Sequence, residues 1–307
     1  MSVAINVSSL TKRYPNQKDS HPALDDLSIS VEQGSLFGLV GPDGAGKTTL
    51  LRILATVLTP TSGTAHVLGA DTRKSPDDIH RQIGYMPQNF SLYPDLTVLE
   101  NLRFFADMQG VTRQEQRTRL PTLLDFARLQ DFQDRRSEHL SGGMRKKLAL
   151  ACALIHKPRL LLLDEPTTGV DPVSRRELWK LLAEVIQQGV TVLVSTPYMD
   201  EAERCQQVAM LFQGTLLTSG NPRELEAEYP YAIVELKATP RKLMREAAAN
   251  IPEIISWRPV GDRLRISTRD PQKCEADLRS NLLRSGAEIQ LLRRTRPSME
   301  DVFIHLT

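Results

Sequence analysis

The sequence is poor in aromatic residues, poor in cysteine and free of long apolar runs. Aromatic residues make up 5% of the 307 residues, and the three cysteines are Cys152, Cys205 and Cys274. They are widely spaced, with no CxxC pair and no neighbouring histidine, which argues against a disulfide framework or zinc site and predicts buried thiols in a reducing compartment. No stretch approaches the roughly 20 apolar residues of a spanning helix, and segment 1–15 lacks a signal-peptide core, so we expect a soluble chain.

An excess of charge of one sign is also missing. Lysine and arginine number 39 against 37 acidic residues, which leaves a formal net charge of +2. A field this weak does not favour nucleic acid, so we expect no direct nucleic-acid partner. At roughly 100–200 residues per domain, the length predicts two domains.

What the sequence does contain is an alternation of short apolar strands and helices. Because strands that alternate with helices are typical of parallel sheets, we expect a largely parallel α/β sheet. A polar, helical stretch, Thr97–Arg136, reads as an insert beside it. The predicted strands are Ile5–Leu10, Leu27–Val31, Leu36–Val40, Arg159–Leu163 and Thr191–Ser195, and the predicted helices are Lys47–Thr56, one that begins near Ser141, and Pro172–Gln187.

The pattern changes after Asn221-Pro222. The remaining segment reads as β-α-β-β-α-β, which is the order of a ferredoxin-like α+β domain. It carries no cluster of chemistry-bearing residues, so a dimerisation or regulatory role is favoured. The predicted elements are Tyr231–Lys237, Pro240–Ala249, Ile254–Pro259, Arg263–Ser267, Pro271–Arg284 and Glu288–Leu292, with a short helix after Pro297.

The most specific motif is GPDGAGKTT at 41–49, which lies between a predicted strand and a predicted helix. Its glycines allow successive amide groups to point at phosphate oxygens, and the helix N-terminus adds its dipole. Lys47 is expected to reach the β- and γ-phosphates, and the Thr48 hydroxyl to bind Mg²⁺. The spacing GxxxxGK[ST] therefore predicts ATP binding.

A second motif, RLLLLDEP at 159–166, is an apolar strand that ends in two carboxylates. Asp164 is placed to hold the water shell of a metal ion, and Glu165 to polarise an attacking water. Phosphoryl transfer requires both functions near the γ-phosphate, so together with the phosphate loop the pair predicts ATP hydrolysis.

From Val3 to about Glu228 the sequence resembles the ATP-binding subunits of ABC transporters, most specifically in LSGGM at 140–144. The resemblance implies a P-loop NTPase (ABC ATPase) fold with an antiparallel β subdomain and a helical subdomain at about 90–140, hence domains 1–228 and 229–307. It also implies that Ser141, Gly142 and Gly143 contact the γ-phosphate held by a second ATP-binding subunit in a head-to-tail homodimer or heterodimer.

The same resemblance assigns further residues. Tyr14 matches the aromatic that stacks on adenine, although a lone tyrosine in a loop more often serves surface packing. Gln88 matches the glutamine that touches Mg²⁺ or the attacking water, and Asp171, in Gly169–Pro172, matches the residue that crosses the dimer interface. With Glu165 and Gln88 as catalytic residues and Asp164 beside the metal, the remaining nucleotide-binding residues are Gly41, Asp43, Gly44, Ala45, Gly46, Lys47, Thr48 and Thr49.

The sequence departs from the family at Pro197. The family carries a histidine there that hydrogen-bonds the γ-phosphate, and proline has no side-chain donor. We expect slow hydrolysis at this chain's own site; the alternative is that a water or Thr196 fills the gap. Asp43, in place of an asparagine, and Met144, in place of a glutamine, are smaller departures.

The ending PSMEDVFIHLT resembles that of exporter subunits that serve ABC-2 permeases. The resemblance implies efflux of drugs or other small molecules through a separate membrane permease, with this chain peripheral at the cytoplasmic face of the inner membrane. Phe90, Leu92 and Tyr93 either line the groove for the permease or belong to the helical core. Alternative functions are a soluble ABC ATPase that acts on ribosomes or DNA, and a nucleotide-sensing regulator.

Overall fold

The computed structural model describes residues 2–15, 21–89 and 92–307. The chain divides between Pro222 and Arg223 into two compact units. The domain limit expected after residue 228 lies beyond helix α8 (Pro222–Ala227) and stays a prediction. None of the helices in the described part of the chain combines the length and apolar character needed to cross a membrane.

The first unit is built around a six-stranded sheet with the order β10-β9-β3-β8-β7-β6. All neighbours are parallel except β9 and β10, which form a hairpin. Strands β3, β7 and β8 are buried along their whole length, which explains their continuous apolar runs. The strands are β3 (Leu36–Val40), β6 (Ile83–Met86), β7 (Leu160–Asp164), β8 (Thr191–Thr196), β9 (Gln207–Phe212) and β10 (Thr215–Gly220).

A second, antiparallel sheet has the order β2-β1-β4-β5. Strand β2 alternates buried and exposed residues over most of its length, because one face packs on the core and the other meets solvent. The buried face shares one apolar core with α1 (Lys47–Leu54) and the central sheet. The strands are β1 (Val3–Lys12), β2 (Leu24–Glu32), β4 (Ser62–Val67) and β5 (Ala70–Asp71).

The helical stretch predicted at 97–136 contains two helices, α3 and α4, which pack on α5 around a core of their own. Each of the first two begins at a capping box, Thr97 with Glu100 and Thr112 with Glu115, so local sequence fixes their starts. The helices of this unit besides α1 are α2 (Pro76–His80), α3 (Val98–Met108), α4 (Arg113–Ala127), α5 (Gly142–Leu154), α6 (Pro172–Gln187) and α7 (Met199–Ala202).

The second unit has the predicted β-α-β-β-α-β order. Its four strands form an antiparallel sheet in the order β12-β13-β11-β14, and α9 and α10 share its buried core. This is the ferredoxin-like arrangement. Its elements are β11 (Ala232–Thr239), α9 (Arg241–Ala249), β12 (Ile254–Val260), β13 (Arg263–Thr268), α10 (Pro271–Arg284), β14 (Glu288–Thr295) and α11 (Met299–Leu306).

The predicted elements are therefore present, with ends that differ by a few residues. Strands β4, β5, β6, β9 and β10 and the short helices α2, α7 and α8 were not predicted from the sequence. The three cysteines are buried free thiols, as predicted.

Candidate functional site

A cleft of about 670 Å³ opens at the end of β3, above the start of α1. Ten of the residues predicted to serve nucleotide or catalysis line it together. They are Tyr14, Asp43, Gly44, Ala45, Gly46, Lys47, Thr48, Thr49, Gln88 and Glu165. His21, Pro22, Ala23 and Gln213 complete the lining and were not predicted.

Two glycines of the phosphate loop have steric reasons to be glycine. Gly46 caps α1 with φ 103°, and a Cβ there would lie 2.4 Å from the Ala23 carbonyl oxygen. A Cβ on Gly41 would lie 2.2 Å from the Leu211 carbonyl oxygen. The loop can therefore approach its neighbours this closely only without side chains at these two positions.

The ammonium group of Lys47 is held in place by hydrogen bonds to the backbone of the phosphate loop. It donates to the carbonyl oxygens of Gly41 at 2.8 Å and Pro42 at 3.0 Å, and it lies 3.3 Å from Glu165 Oε1. Lys47 and Glu165 are both buried. A buried cation needs such partners, and an arriving phosphate offers it a stronger one.

Asp164 lies below the cleft at the end of β7 and is fully buried. Its Oδ1 accepts from Thr48 Oγ1 at 3.1 Å and from Ser195 Oγ at 2.7 Å. Its Oδ2 is buried and has no hydrogen-bond partner within the described residues. An unsatisfied carboxylate oxygen next to a threonine hydroxyl suits a hydrated Mg²⁺, which prefers oxygen ligands and keeps several waters.

Glu165 adopts a left-handed backbone conformation, with φ 47°, directly after β7. Its Oε2 accepts from Gln88 Nε2 at 3.0 Å and from Thr168 Oγ1 at 3.2 Å. Its backbone amide donates to Ser195 Oγ at 3.0 Å. The turn therefore points the carboxylate into the cleft, where several groups fix its orientation.

Tyr14 is half-buried at the edge of the cleft. Its hydroxyl lies 3.4 Å from Thr49 Oγ1, and the ammonium of Lys12 lies 5.4 Å from its ring centroid. The ring therefore has a defined place beside the phosphate loop. Stacking on adenine stays a prediction.

Comparison with known proteins identifies the family. The ABC transporter family model matches residues 24–168, and the model for the C-terminal domain of DrrA1-3-like ATP-binding proteins matches residues 220–307. The Nod factor export ATP-binding protein I of Cupriavidus metallidurans is 36% identical over 309 residues, which covers 100% of this chain and 98% of that protein. The chain belongs to the ABC transporter ATP-binding proteins.

Two further likenesses support the assignment. The probable multidrug ABC transporter ATP-binding protein YbhF of Escherichia coli is 41% identical over 305 residues, 98% of this chain but 52% of YbhF, so the chain spans about half the length of that relative. A dimeric ATP-binding cassette in a post-hydrolysis state, bound to ADP and Pi, matches with a TM-score of 0.65 at 27% identity, over 71% of this chain and 98% of that one. The predicted family and fold class are confirmed.

Three residues of this ABC protein that were predicted to contact a partner's nucleotide, Ser141, Gly142 and Gly143, do not line the cleft, and neither does Asp171, which was predicted to cross the dimer interface. Ser141 caps α5, the helix predicted to begin near it, and accepts from the Met144 amide at 3.2 Å. Asp171 caps α6 by accepting from the amides of Val173 and Ser174, both at 3.0 Å. Ser141 and Asp171 are exposed, as is Gly142.

Gly143 differs from the other three because it is buried. A Cβ on Gly143 would lie 2.3 Å from Ser174 Oγ on α6, so close packing of the two helix starts also requires this glycine. The resemblance to ABC transporter subunits implies only a phosphate contact for Gly143.

The segment around Pro197 is held by Glu201, a fully buried carboxylate that the sequence analysis missed. Thr196 Oγ1 donates to Glu201 Oε2 at 2.5 Å and accepts from the Tyr198 amide at 3.1 Å. Thr196 is therefore occupied and fully buried, and the suggestion that its hydroxyl replaces the missing histidine donor is wrong.

Glu201 gathers donors from three parts of the first unit. Thr167 Oγ1 donates to it at 3.1 Å, Arg175 Nε at 2.5 Å and Trp179 Nε1 at 3.0 Å. Arg175 also pairs with Asp200 and lies 4.5 Å from the ring centroid of Tyr198. An Asp or Glu on a short helix is ordinarily exposed, so the sequence carries no signal that Glu201 is buried.

An apolar groove of about 190 Å³ lies between the central sheet and the helical insert. Val57, Phe105, Met108, His80 and His156 are among its lining residues. Burial and the loss of hydration lower the pKa of His156, although its hydrogen bond to the Ile83 carbonyl opposes this, so the ring is neutral near pH 7.

Two of the side chains predicted to line the permease groove or the helical core, Leu92 and Tyr93, lie in different environments. Tyr93 is 44% exposed, and its ring centroid lies 4.4 Å from that of Phe104, whereas Leu92 packs on the helical core. Phe90 lies outside the described residues. Of the two roles left open for these side chains, the core role holds for Leu92.

Proposed function

We propose that this chain binds MgATP in the cleft and hydrolyses it to power export through a separate membrane permease. The observation that carries the proposal is the presence of two sets of contacts at one cleft. Lys47 and Gln88 lie 3.3 and 3.0 Å from the Glu165 carboxylate, and the Thr48 hydroxyl donates to Asp164 at 3.1 Å. Phosphoryl transfer needs a cation for the phosphates, a metal holder and a group that orients the nucleophile, and these five residues supply all three.

Mg²⁺ would be held by the Thr48 hydroxyl and Gln88, with Asp164 ordering its water shell through the unpaired Oδ2. When bound, the ion neutralises charge on the phosphates. Lys47 binds the β- and γ-phosphates, and Glu165 accepts a hydrogen bond from the attacking water and withdraws its proton. Tyr14 and the loop residues 41–49 position the nucleotide.

The working form is a head-to-tail dimer with a second ATP-binding subunit. Ser141, Gly142 and Gly143 of each subunit complete the cleft of the other, and Asp171 contacts the partner. Exposed Ser141 and Asp171, which lie off this chain's own cleft, support this arrangement. So does the likeness to a dimeric cassette bound to ADP and Pi.

The membrane partner is an integral permease of the ABC-2 type, and the chain lies peripherally at the cytoplasmic face of the inner membrane. The groove between sheet and helical insert supports a docking role, because Val57 is 65% exposed and Met108 is 60% exposed at its rim. Relatives named for multidrug transport and Nod factor export support export of drugs or other small molecules. The permease sets the substrate.

The chain works as two domains, an ATP-binding domain at 1–228 and a regulatory or dimerisation domain at 229–307. The second domain has a core of its own, and its sheet and helices form a complete fold. We assign it no catalytic role.

Hydrolysis at this chain's own cleft is slow because position 197 carries a proline. Thr196 cannot compensate, since its hydroxyl is bound to Glu201. Loss of one donor to transition-state charge costs on the order of 10²–10³ in rate. We expect Pro197→His to raise the turnover number by up to this factor of 10²–10³. Glu165→Gln should abolish turnover and leave ATP binding intact.

The test compares steady-state ATPase rates of the purified wild-type chain and these two variants, with Lys47→Ala as a control that loses ATP binding. Equal rates for wild type and Pro197→His, both well above Glu165→Gln, would refute the slow-site proposal and leave the ATPase assignment intact. A wild-type rate no higher than that of Glu165→Gln, with no ATP bound, would refute the assignment. Co-purification of a tagged chain from detergent-solubilised membranes tests for the permease.

A further inference from the structure

We propose that Thr168 is a positioning residue that holds the Glu165 carboxylate in place during ATP hydrolysis. This inference rests on the proposed ATPase function. Thr168 lies three residues after Glu165, and the short turn between them is closed by a hydrogen bond from the Thr168 amide to the Glu165 carbonyl oxygen at 3.3 Å. The same turn brings Thr168 Oγ1 to 3.2 Å from Glu165 Oε2.

Among the described residues, three side chains contact the Glu165 carboxylate, and two of them are also needed to bind MgATP. Lys47 lies 3.3 Å from Oε1, and Gln88 donates to Oε2 at 3.0 Å. Both line the cleft, and both are the groups that MgATP recruits, Lys47 for phosphate and Gln88 for the metal ion. Once nucleotide binds, neither can orient the carboxylate as it does in the nucleotide-free protein.

Thr168 is not recruited in this way. It does not line the cleft, and it instead borders a neighbouring groove that contains Gly169 and Val170 and shares Gln88 with the cleft. Because threonine is β-branched, its χ1 is restricted, and a hydroxyl directed at a neighbour keeps its direction. Thr168 is therefore the contact to Glu165 that persists when the nucleotide is bound.

Nearby hydroxyl groups that could share this task are already used. Thr167 and Thr196 both donate to Glu201, and Ser195 donates to Asp164. Pro197 has no donor. Among the residues that the structure describes, Thr168 thus supplies the neutral hydroxyl that donates to the Glu165 side chain.

The test uses the full-length chain and separates the hydroxyl from the shape of the side chain. Thr168→Val removes the donor and keeps the β-branch, Thr168→Ala is a second hydroxyl-free variant, and Thr168→Ser restores the donor. We expect Val and Ala to lower single-turnover hydrolysis about tenfold, the effect of one hydrogen bond to a charged group, and Ser to return it to within about threefold of wild type.

The positioning role and a merely structural role predict different patterns. Under the positioning role, the affinity for a fluorescent ATP analogue should match that of wild type in all three variants, because Thr168 does not line the cleft. The Tm without nucleotide should fall in Thr168→Val and Thr168→Ala only by the loss of one hydrogen bond, and Thr168→Ser should restore it. Thr122→Val, an exposed change on α4, is the matched control and should alter none of these measurements.

Unchanged hydrolysis in Thr168→Val and Thr168→Ala, at a wild-type rate clearly above that of Glu165→Gln, would overturn the positioning role alone. A fall in hydrolysis that is matched by weaker ATP binding or a lower Tm, and that Ser does not reverse, would also overturn it. Failure of wild type to exceed Glu165→Gln would instead refute the proposed ATPase function.

Discussion

The buried carboxylate of Glu201 gives a direct test of how the first unit is stabilised. In the part of the chain that the structure describes, four side chains donate to it, and Arg175 is the one of these four that carries a positive charge. Replacing Arg175 with alanine would leave a fully buried carboxylate with three neutral donors. An uncompensated buried charge is strongly destabilising, because the low-dielectric interior cannot replace its hydration.

The magnitude follows from the degree of burial. Removal of one partner from a buried ion pair costs about 3–5 kcal/mol, but the Arg175 side chain is 24% exposed and three neutral donors remain. We therefore expect Arg175→Ala to lower the free energy of unfolding by about 2–3 kcal/mol, which corresponds to roughly 1 M in the urea midpoint. Arg175→Lys should fall between alanine and wild type.

Urea titration followed by tryptophan fluorescence measures this effect. Trp179 reports on the first unit, and a Trp257→Phe background removes the tryptophan of the second unit. Arg81→Ala is the matched control, since its ion pair with Asp78 is exposed and should contribute less than about 1 kcal/mol. A loss below about 1 kcal/mol for Arg175→Ala would show that the neutral donors suffice, and would refute the charge argument.

Two more predictions concern packing and pH. Gly143→Ala should lower the free energy of unfolding by about 1–3 kcal/mol, and with it the Tm, because the added Cβ would lie 2.3 Å from Ser174 Oγ. Gly142→Ala should leave the Tm unchanged, and thermal denaturation of both variants checks this. Burial raises the pKa of Asp301, but hydrogen bonds from Arg265, Ser298 and Arg258 together with the charge of Arg265 outweigh it, and the net pKa is lowered. This contribution to stability is therefore present above about pH 4 and lost as the pH falls further. Asp301→Asn should therefore destabilise the chain at pH 7 and much less at pH 3, as urea titrations at the two pH values would show; equal losses at both would contradict this.

Much of the fold could be predicted because its signals are local. Helix α6 runs from Pro172 to Gln187, as predicted, since Asp171 caps it, proline opens it and Gly189 follows its end. Strands β9 and β10 escaped prediction. The sequence of β10, TLLTSG, is polar and ends in glycine, so its conformation depends on pairing with β9 and not on its own residues.

The same contrast between local sequence signals and tertiary contacts applies to the candidate site. Lys47, Thr48 and Glu165 lie in short motifs with fixed spacing, and the structure brings them together. The contacts of Ser195 with Asp164 and of Thr167 with Glu201 join residues 31 and 34 positions apart, through residue types that are common everywhere in proteins. One sequence offers no signal for such pairs, and only tertiary folding places them.

The close packing of Gly143 on Ser174 has a mechanical consequence. It joins the start of α5, which carries the LSGGM segment, to the start of α6, which carries Asp171, with the small side chain of Ser174 packed directly against the Gly143 backbone. Because packed elements transmit displacement and do not deform continuously, a push on either segment moves the other. A second subunit would therefore engage the two segments as a single rigid surface, in one step and not in two.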